Sequence, residues 1–325
     1  MTKPLRIGTR DSQLAVWQAT LVQNELSRRG IASELVYIKS DGDIDLVTPL
    51  YELGVQGIFT KTLDAALLNN RIDIAVHSMK DVPTQLAKGL QQSAVLPRAS
   101  FKDILVYKGD KEHLLETLGS VNGEWSVVSE EARLTSHDSR LTIATSSVRR
   151  KAQWLNRYPN HVLDNLRGNV NTRLRKLEES NWNGAIFAAA GLERIGLRPS
   201  NSINLDWMLP APSQGAIMIA CRENDPQAFD ATHQLNDTAT ATCTKIEKDF
   251  LRVLMGGCTT PISALATIQE NRVHFRGNVL SLDGKQKAEI EKIIPVSEAG
   301  ALGEQAAEEL LQKGGAAIIE SIRNA

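Results

Sequence analysis

Along most of the chain, short apolar runs alternate with segments whose apolar residues recur every three or four positions. Residues 5–9 read as a buried strand. Ser12 is placed to cap a helix that carries Leu14, Trp17, Leu21 and Leu26 on one stripe and stops at Gly30. A strand at 33–38, a helix at 59–69 and a strand at 72–76 follow, then strand-like pieces at 90–96 and 103–107. Gly42, Pro49, Gly54 and Gly57 punctuate residues 39–57, which read as a loop. Strand alternating with helix is the pattern of a doubly wound α/β sheet.

Residues 109–140 are polar and weakly periodic, so they read as a surface excursion. The rhythm resumes with a strand at 141–144, a helix at 147–158, a strand at 161–163, a helix at 170–178 and a strand at 185–188. Residues 215–221 are apolar enough for a central strand, and 239–254 read as a helix. From Cys258 the pattern changes. Antiparallel strands are expected at 262–269, 273–280 and 288–296, then a helix at 298–313 and a last strand at 316–320. No internal repeat is visible.

A chain of 325 residues is too long for one ordinary core and calls for two or three domains. Its 42% hydrophobic and 23% charged residues are the balance of a globular protein. The net charge of −1 provides no global field toward nucleic acid or membrane, so any anion site must be local. Residues 1–6 show no apolar signal core, and the apolar runs are too short to span a bilayer. Cys221, Cys243 and Cys258 are too few and too scattered for a disulfide framework or a zinc site. A reducing cytoplasm and no metal are expected.

The most specific segment is His77-Ser78-Met79-Lys80-Asp81-Val82-Pro83, just past a buried strand, where open α/β sheets place ligands. Pro83 holds the residue before it out of helix. A cation and an anion therefore leave the strand end together. For an arbitrary Lys-Asp pair a surface ion pair is the better reading, but the heptapeptide as a whole resembles the hydroxymethylbilane synthase (porphobilinogen deaminase) family. Further stretches resemble that family in the same order. They are Gly8–Ala15, Thr145–Arg150, Leu166–Val170 with Thr172–Leu174, Ala190–Leu192, Gln214–Ala216, and Gly256-Gly257-Cys258 followed by Pro261-Ile262.

The resemblance implies a reaction. Porphobilinogen loses ammonia to give a cationic azafulvene, the α-carbon of a growing pyrrole chain attacks it, and a proton leaves the new junction. A carboxylate suits such chemistry, because it accepts pyrrole N–H bonds and offsets developing positive charge. Asp81 is the catalytic candidate, with Lys80 holding a substrate carboxylate. His77 at a strand end is as well read as structural. Each pyrrole carries an acetate and a propionate, so the growing chain is a polyanion. Between Arg149 and Arg198 stand eight arginines and two lysines against four acids, and the guanidinium fork pairs carboxylates bidentately. The resemblance assigns binding to Arg10, Ser12, Lys80, Ser146, Ser147, Arg149, Arg150, Arg167, Asn169, Arg173, Arg194, Gln214 and Lys248. Arg157, Arg175 and Arg198 lie outside the matching stretches and read as a solvated basic face.

Cys258 follows two glycines that allow close approach of a bulky group. Resemblance gives it a dipyrromethane cofactor, made of two porphobilinogen units and bound through a thioether, which primes chain growth. Cys221 and Cys243 read as buried hydrophobes. Glu52 and Gln56 stand where many relatives carry lysine, Lys248 where arginine is common, and Ser40-Asp41-Gly42-Asp43 lacks a frequent arginine.

The expected fold is α/β: two doubly wound domains hinged around a cleft, as in type II solute-binding proteins, plus a smaller α+β C-terminal domain. The expected boundaries are 1–98 with 213–234, 99–212, and 235–325, with motion at the hinge or at residues 39–57. The expected product is hydroxymethylbilane, made by a cytoplasmic monomer. Three other readings are open. A solute-binding protein would use the arginines only as a clamp and have no need of Gly256-Gly257-Cys258. A cysteine transferase pairing Cys258 with His77 would be alkylation-sensitive. A nucleic-acid binder is disfavoured by an aromatic content of 5%.

Overall fold

The structure is a computed structural model that describes residues 3–39, 60–121, 124–125, 140–255 and 260–324. Residues 40–59, with Glu52 and Gln56, lie outside the described residues. So do 256–259, with Cys258, and most of the excursion after Val121.

The first five-stranded sheet runs in the order Ser33–Tyr37, Leu5–Thr9, Ile74–Ser78, Ile217–Arg222, Leu90–Val95. The first three strands are parallel, with Leu5 opposite Ser33 and Ile7 opposite Ile74. Ile217–Arg222 enters antiparallel to both of its neighbours, with Met218 opposite His77. The second sheet runs Val162–Asp164, Thr142–Ala144, Gly184–Ala188, Asp103–Tyr107, Ser202–Asn204. Here Asp103–Tyr107 is the antiparallel intruder. The two sheets thus share one topology, each borrowing its fourth strand from chain that has crossed from the other lobe. No sequence periodicity reports this, because the repeat lies in connectivity.

Helix Gln13–Arg28 is capped by Ser12, whose Oγ accepts the Ala15 amide at 3.4 Å. Its buried positions are Gln18, Ala19, Val22 and Leu26. Leu14 and Trp17 are only half-buried, so the stripe is rotated from the expected one, toward the residues that meet Ile7, Ile74 and Ile219. Burying Val22 and Leu26 contributes roughly 1.5–3 kcal/mol each.

Within the excursion, Lys111–Thr117 is helical and Ser120–Val121 pairs with Glu124–Trp125. The C-terminal unit is a meander of Ile262–Gln269, Arg272–Leu280 and Lys287–Pro295. The long helix Thr238–Val253 packs on it, with the Phe250 and Phe275 rings 5.1 Å apart. Two expectations are corrected here. The helix expected at 298–313 is a 3-10 segment Val296–Ala301, then α-helix Leu302–Leu310, then a distorted turn through Leu311–Gly315. The strand expected at 316–320 is a helix, Ala316–Arg323. Gly314, at φ 98°, bends the chain so that this helix lays Ile318 and Ile319 on the shared core. Such short apolar runs fit either element, and docking decides between them.

The lobes are joined where residues 96–102 and 205–216 cross. Gly215 has φ 88°, and a Cβ there would sit 2.7 Å from the carbonyl oxygens of Ala99 and Ser100. The crossing is fixed by Glu247, which is fully buried. Its carboxylate takes two bonds from Arg98, at 2.6 and 3.1 Å, and the amides of Ser213 at 2.6 Å and Ala266 at 2.7 Å. One side chain of the C-terminal unit therefore holds both crossing strands.

Candidate active site

Strand Ile74–Ser78 is buried and ends in the 3-10 turn Met79–Asp81. Met79 and Val82 are buried on either side of the turn, while Lys80 and Asp81 are exposed. The apolar–charged–charged–apolar order thus drives the two charged side chains outward. Three bonds hold the turn. The Met79 amide donates to Ala216 O at 3.0 Å, the Val82 amide to Met79 O at 3.2 Å, and the Lys248 amine to Val82 O. Ser78 is tied to Gln18 by bonds of 2.8 and 3.2 Å.

The other lobe supplies the cations. Helix Val148–Arg157 starts at Ser147, whose Oγ accepts the Arg150 amide at 3.4 Å. Arg149 and Arg150 are both buried and share Asp103. Arg149 Nη2 lies 2.7 Å from Oδ2, and Arg150 reaches Oδ1 through Nε at 3.1 Å and Nη2 at 2.7 Å. Gln214 Nε2 adds a bond of 2.9 Å to the same carboxylate. Burial opposes ionisation of Asp103, but the two guanidinium groups outweigh it and take the carboxyl down to about 2.

The charged groups of the two lobes sense one another. Lys80 is open to cleft water yet surrounded by protein atoms. Desolvation draws its amine down to about 8, opposed by Asp81 and Asp103 and assisted by Arg150 and Arg149. Arg173 is drawn down to about 10 by burial, with Arg150 and Arg167 repelling it and Asp81 attracting it. Its Nε has no hydrogen-bond partner among the described residues. Asp81 of the first lobe therefore has Lys80 beside it and Arg173 within electrostatic reach from the other lobe, and Arg173 in turn senses Arg150 and Arg167.

Two cavities are lined by residues of the family-like stretches. One of about 80 Å³ lies at the first strand ends, lined by Arg10, Ser12, Gln18, Thr60, His77 and Asp81. His77 is 6% exposed, and its pKa is lowered to about 4 by burial and by Arg10. It is therefore a neutral ring at pH 7. The other, of about 510 Å³, is lined by Ser146, Ser147, Lys151, Asn165 and Arg323. Met255 and Thr260, which flank residues 256–259, border it as well.

The remaining expected binders have local partners. Ser12 and Asn169 cap helices, Asn169 Oδ1 accepting the Thr172 amide at 3.0 Å. Gln214 is buried and also donates to Phe101 O at 2.8 Å. Arg194 Nη2 donates to Gly215 O at 2.7 Å, with its guanidinium 5.8 Å from the Trp17 ring centroid. Lys248 is bound to the Val82 carbonyl. Arg175 and Arg198 are exposed, each near a glutamate of its own neighbourhood. Sequence reasoning passed over Asp103, Arg98 and Glu247. An acid at the head of the apolar strand Asp103–Tyr107 was the available signal for the first.

Comparison with known proteins gives one consistent result. The family model described as porphobilinogen deaminase, dipyromethane cofactor binding domain, matches residues 5–230, and the C-terminal domain of the same family matches 241–312. A porphobilinogen deaminase of Pelobacter propionicus is 39% identical over 324 residues, covering 98% of this chain and 97% of that one. One from Acidithiobacillus ferrooxidans is 40% identical over 331 residues, with both chains fully covered. Among solved structures, an ancestral cationic amino acid solute binding protein aligns with TM-score 0.41 at 13% identity, over 71% of this chain and 87% of that one.

Proposed function

We propose that this chain, which belongs to the porphobilinogen deaminase family, works by presenting one carboxylate, Asp81, to a reacting pyrrole that arginines of the opposite lobe hold by its acid side chains. The family's enzymes are transferases of tetrapyrrole biosynthesis: they join four porphobilinogen molecules head to tail into hydroxymethylbilane with release of ammonia, on a dipyrromethane cofactor. The observation that carries the reading is the place of Asp81 on the wall of a cavity shared with Arg10, Ser12 and His77, with Lys80 beside it and Arg173 of the other lobe in electrostatic reach.

Asp81 accepts the pyrrole N–H as ammonia leaves the aminomethyl carbon, and its negative charge offsets the cation left on the ring and its methylene. After carbon–carbon bond formation the same carboxylate is placed to take the proton from the new junction. Lys80, Arg167 and Arg173 hold acetate and propionate groups. Arg149 and Arg150, anchored on Asp103, set the positive field behind them. Arg10 and Ser12 border the small cavity next to Asp81 and hold the incoming unit. Neutral His77 forms its wall.

The residues present fit the family's cofactor. A run of acetates and propionates meets a cleft rich in guanidinium groups, including the Arg173 Nε that has no hydrogen-bond partner among the described residues. Cys258 is its attachment point, and Met255 and Thr260, which flank it in sequence, line the 510 Å³ cavity. When bound, dipyrromethane supplies the free α-carbon that accepts the first unit. Ser146, Ser147 and Asn169 offer further donors along the same side. The lobes are assigned as 1–98 with 213–234, 99–212, and 235–325. Among the described residues no helix is long and apolar enough to cross a membrane. The membership in a biosynthetic family supports reading the chain as a cytoplasmic enzyme, and we take it to act as a monomer.

The mass of the denatured protein tests the assignment. It is expected to exceed the sequence mass by two linked pyrrole units, mapped to the peptide holding Cys258. An unmodified Cys258 in protein that turns over porphobilinogen would overturn it.

A further inference from the structure

The long helix Thr238–Val253 carries two adjacent charged residues that reach different parts of the molecule. Glu247 fixes the interlobe crossing through Arg98, Ser213 and Ala266. Lys248, one position on, donates to the carbonyl of Val82, which closes the turn Met79–Asp81. Neighbouring helix positions point about 100° apart, so the two side chains diverge.

The turn needs such an anchor. It is three residues long, and 3-10 hydrogen bonds are poorly aligned. From inside, Met79 and Val82 join a buried cluster on which Ala241 of the helix rests. Outside that contact lies a cavity of about 420 Å³, lined by Met79, Val82 and Thr84 and by Thr242, Lys245 and Lys248 of the helix. Lys245 is paired with Asp249, leaving Lys248 as the group that bridges to the turn.

We infer that Lys248 is a positioning residue, which holds the Lys80–Asp81 turn from the same helix that carries Glu247. The helix thereby ties the interlobe crossing to the catalytic turn. This rests on the reading of Asp81 as the catalytic carboxylate. It differs from the role expected of Lys248 by sequence, that of a carboxylate binder.

The two roles separate experimentally in primed enzyme. Losing a charged hydrogen bond of this kind, K248M is expected to lower kcat about 10-fold while KM for porphobilinogen stays within about 2-fold. Amide hydrogen exchange over residues 79–82 should speed up several-fold, and the cofactor mass on Cys258 should be unchanged. K248R should restore most of kcat and the slow exchange. A raised KM with unchanged kcat and exchange would overturn the inference in favour of carboxylate binding. Loss of the cofactor mass in both K248M and K248Q would overturn it in favour of a role in attachment. Retained turnover in Asp81→Ala would instead remove the reading on which it rests, whatever K248M does.

Discussion

Arg150 grips Asp103 through two nitrogens bound to one oxygen, Nε at 3.1 Å and Nη2 at 2.7 Å, in a site where the carboxylate has no exposed surface. Arg149 takes the other oxygen at 2.7 Å. The cations that give the cleft its field are thus balanced from behind by a buried anion, which fixes where their remaining N–H groups point.

Removing that anion leaves two buried guanidinium groups unpaired. Asp103→Ala is expected to cost about 3–5 kcal/mol, the usual range for breaking a buried ion pair from one side. Asp103→Asn, which keeps a hydrogen-bond acceptor, should cost less. Urea unfolding of both variants checks this, and a midpoint for Asp103→Ala equal to the parent's would refute it.

Asp81 is exposed and held by its neighbours' bonds, not its own. Asp81→Ala should therefore melt within about 0.5 kcal/mol of the parent. Ammonia release from porphobilinogen should fall by at least about 10²-fold, the scale of a lost general acid–base group. Asp81→Asn should fall nearly as far, since it accepts a hydrogen bond but carries no charge. A variant releasing ammonia at the parental rate would remove Asp81 from the chemistry.

Stability should decline in two stages as pH falls. Burial lowers His77 and His161 from 6.5 to about 4. The unfolded chain then binds protons that the folded one refuses, so stability drops between about 6.5 and 4. Asp103 and Asp73 follow. Burial opposes their ionisation, but Arg149 and Arg150 hold Asp103, and Arg6 and Arg222 hold Asp73, each at about 2. Their contribution is complete above 3.8 and is lost from there down to about 2. Denaturation midpoints measured from pH 8 to 3 should show the first stage shrink in a His77→Gln, His161→Gln double variant. A flat curve between 6.5 and 4 in the parent would contradict the assignment.

Periodicity and the family motifs made the two α/β units and the Lys80–Asp81 turn legible before any coordinates. Met79 and Val82 bracket a charged pair, and that local order suffices. Asp103 was not legible, because its meaning depends on Arg149, 46 positions away. Gln214, Arg194 and Lys248 show the complementary difficulty. Residue type announces a polar contact, yet only the fold tells whether the contact is a ligand or a backbone carbonyl. The terminal helix Ala316–Arg323 was misread because its apolar pair, Ile318-Ile319, suits a strand equally well until a sheet lies beneath it.

The strand Ile217–Arg222 sits between Ile74–Ser78 and Leu90–Val95, and among the described residues Leu90–Val95 has no other partner in its sheet. On a ribosome, then, the first lobe would wait half-made while the second is being synthesised. Nascent chains arrested before Ile217 should be open to protease at Leu90–Val95, and order would spread backward once the missing plank arrives.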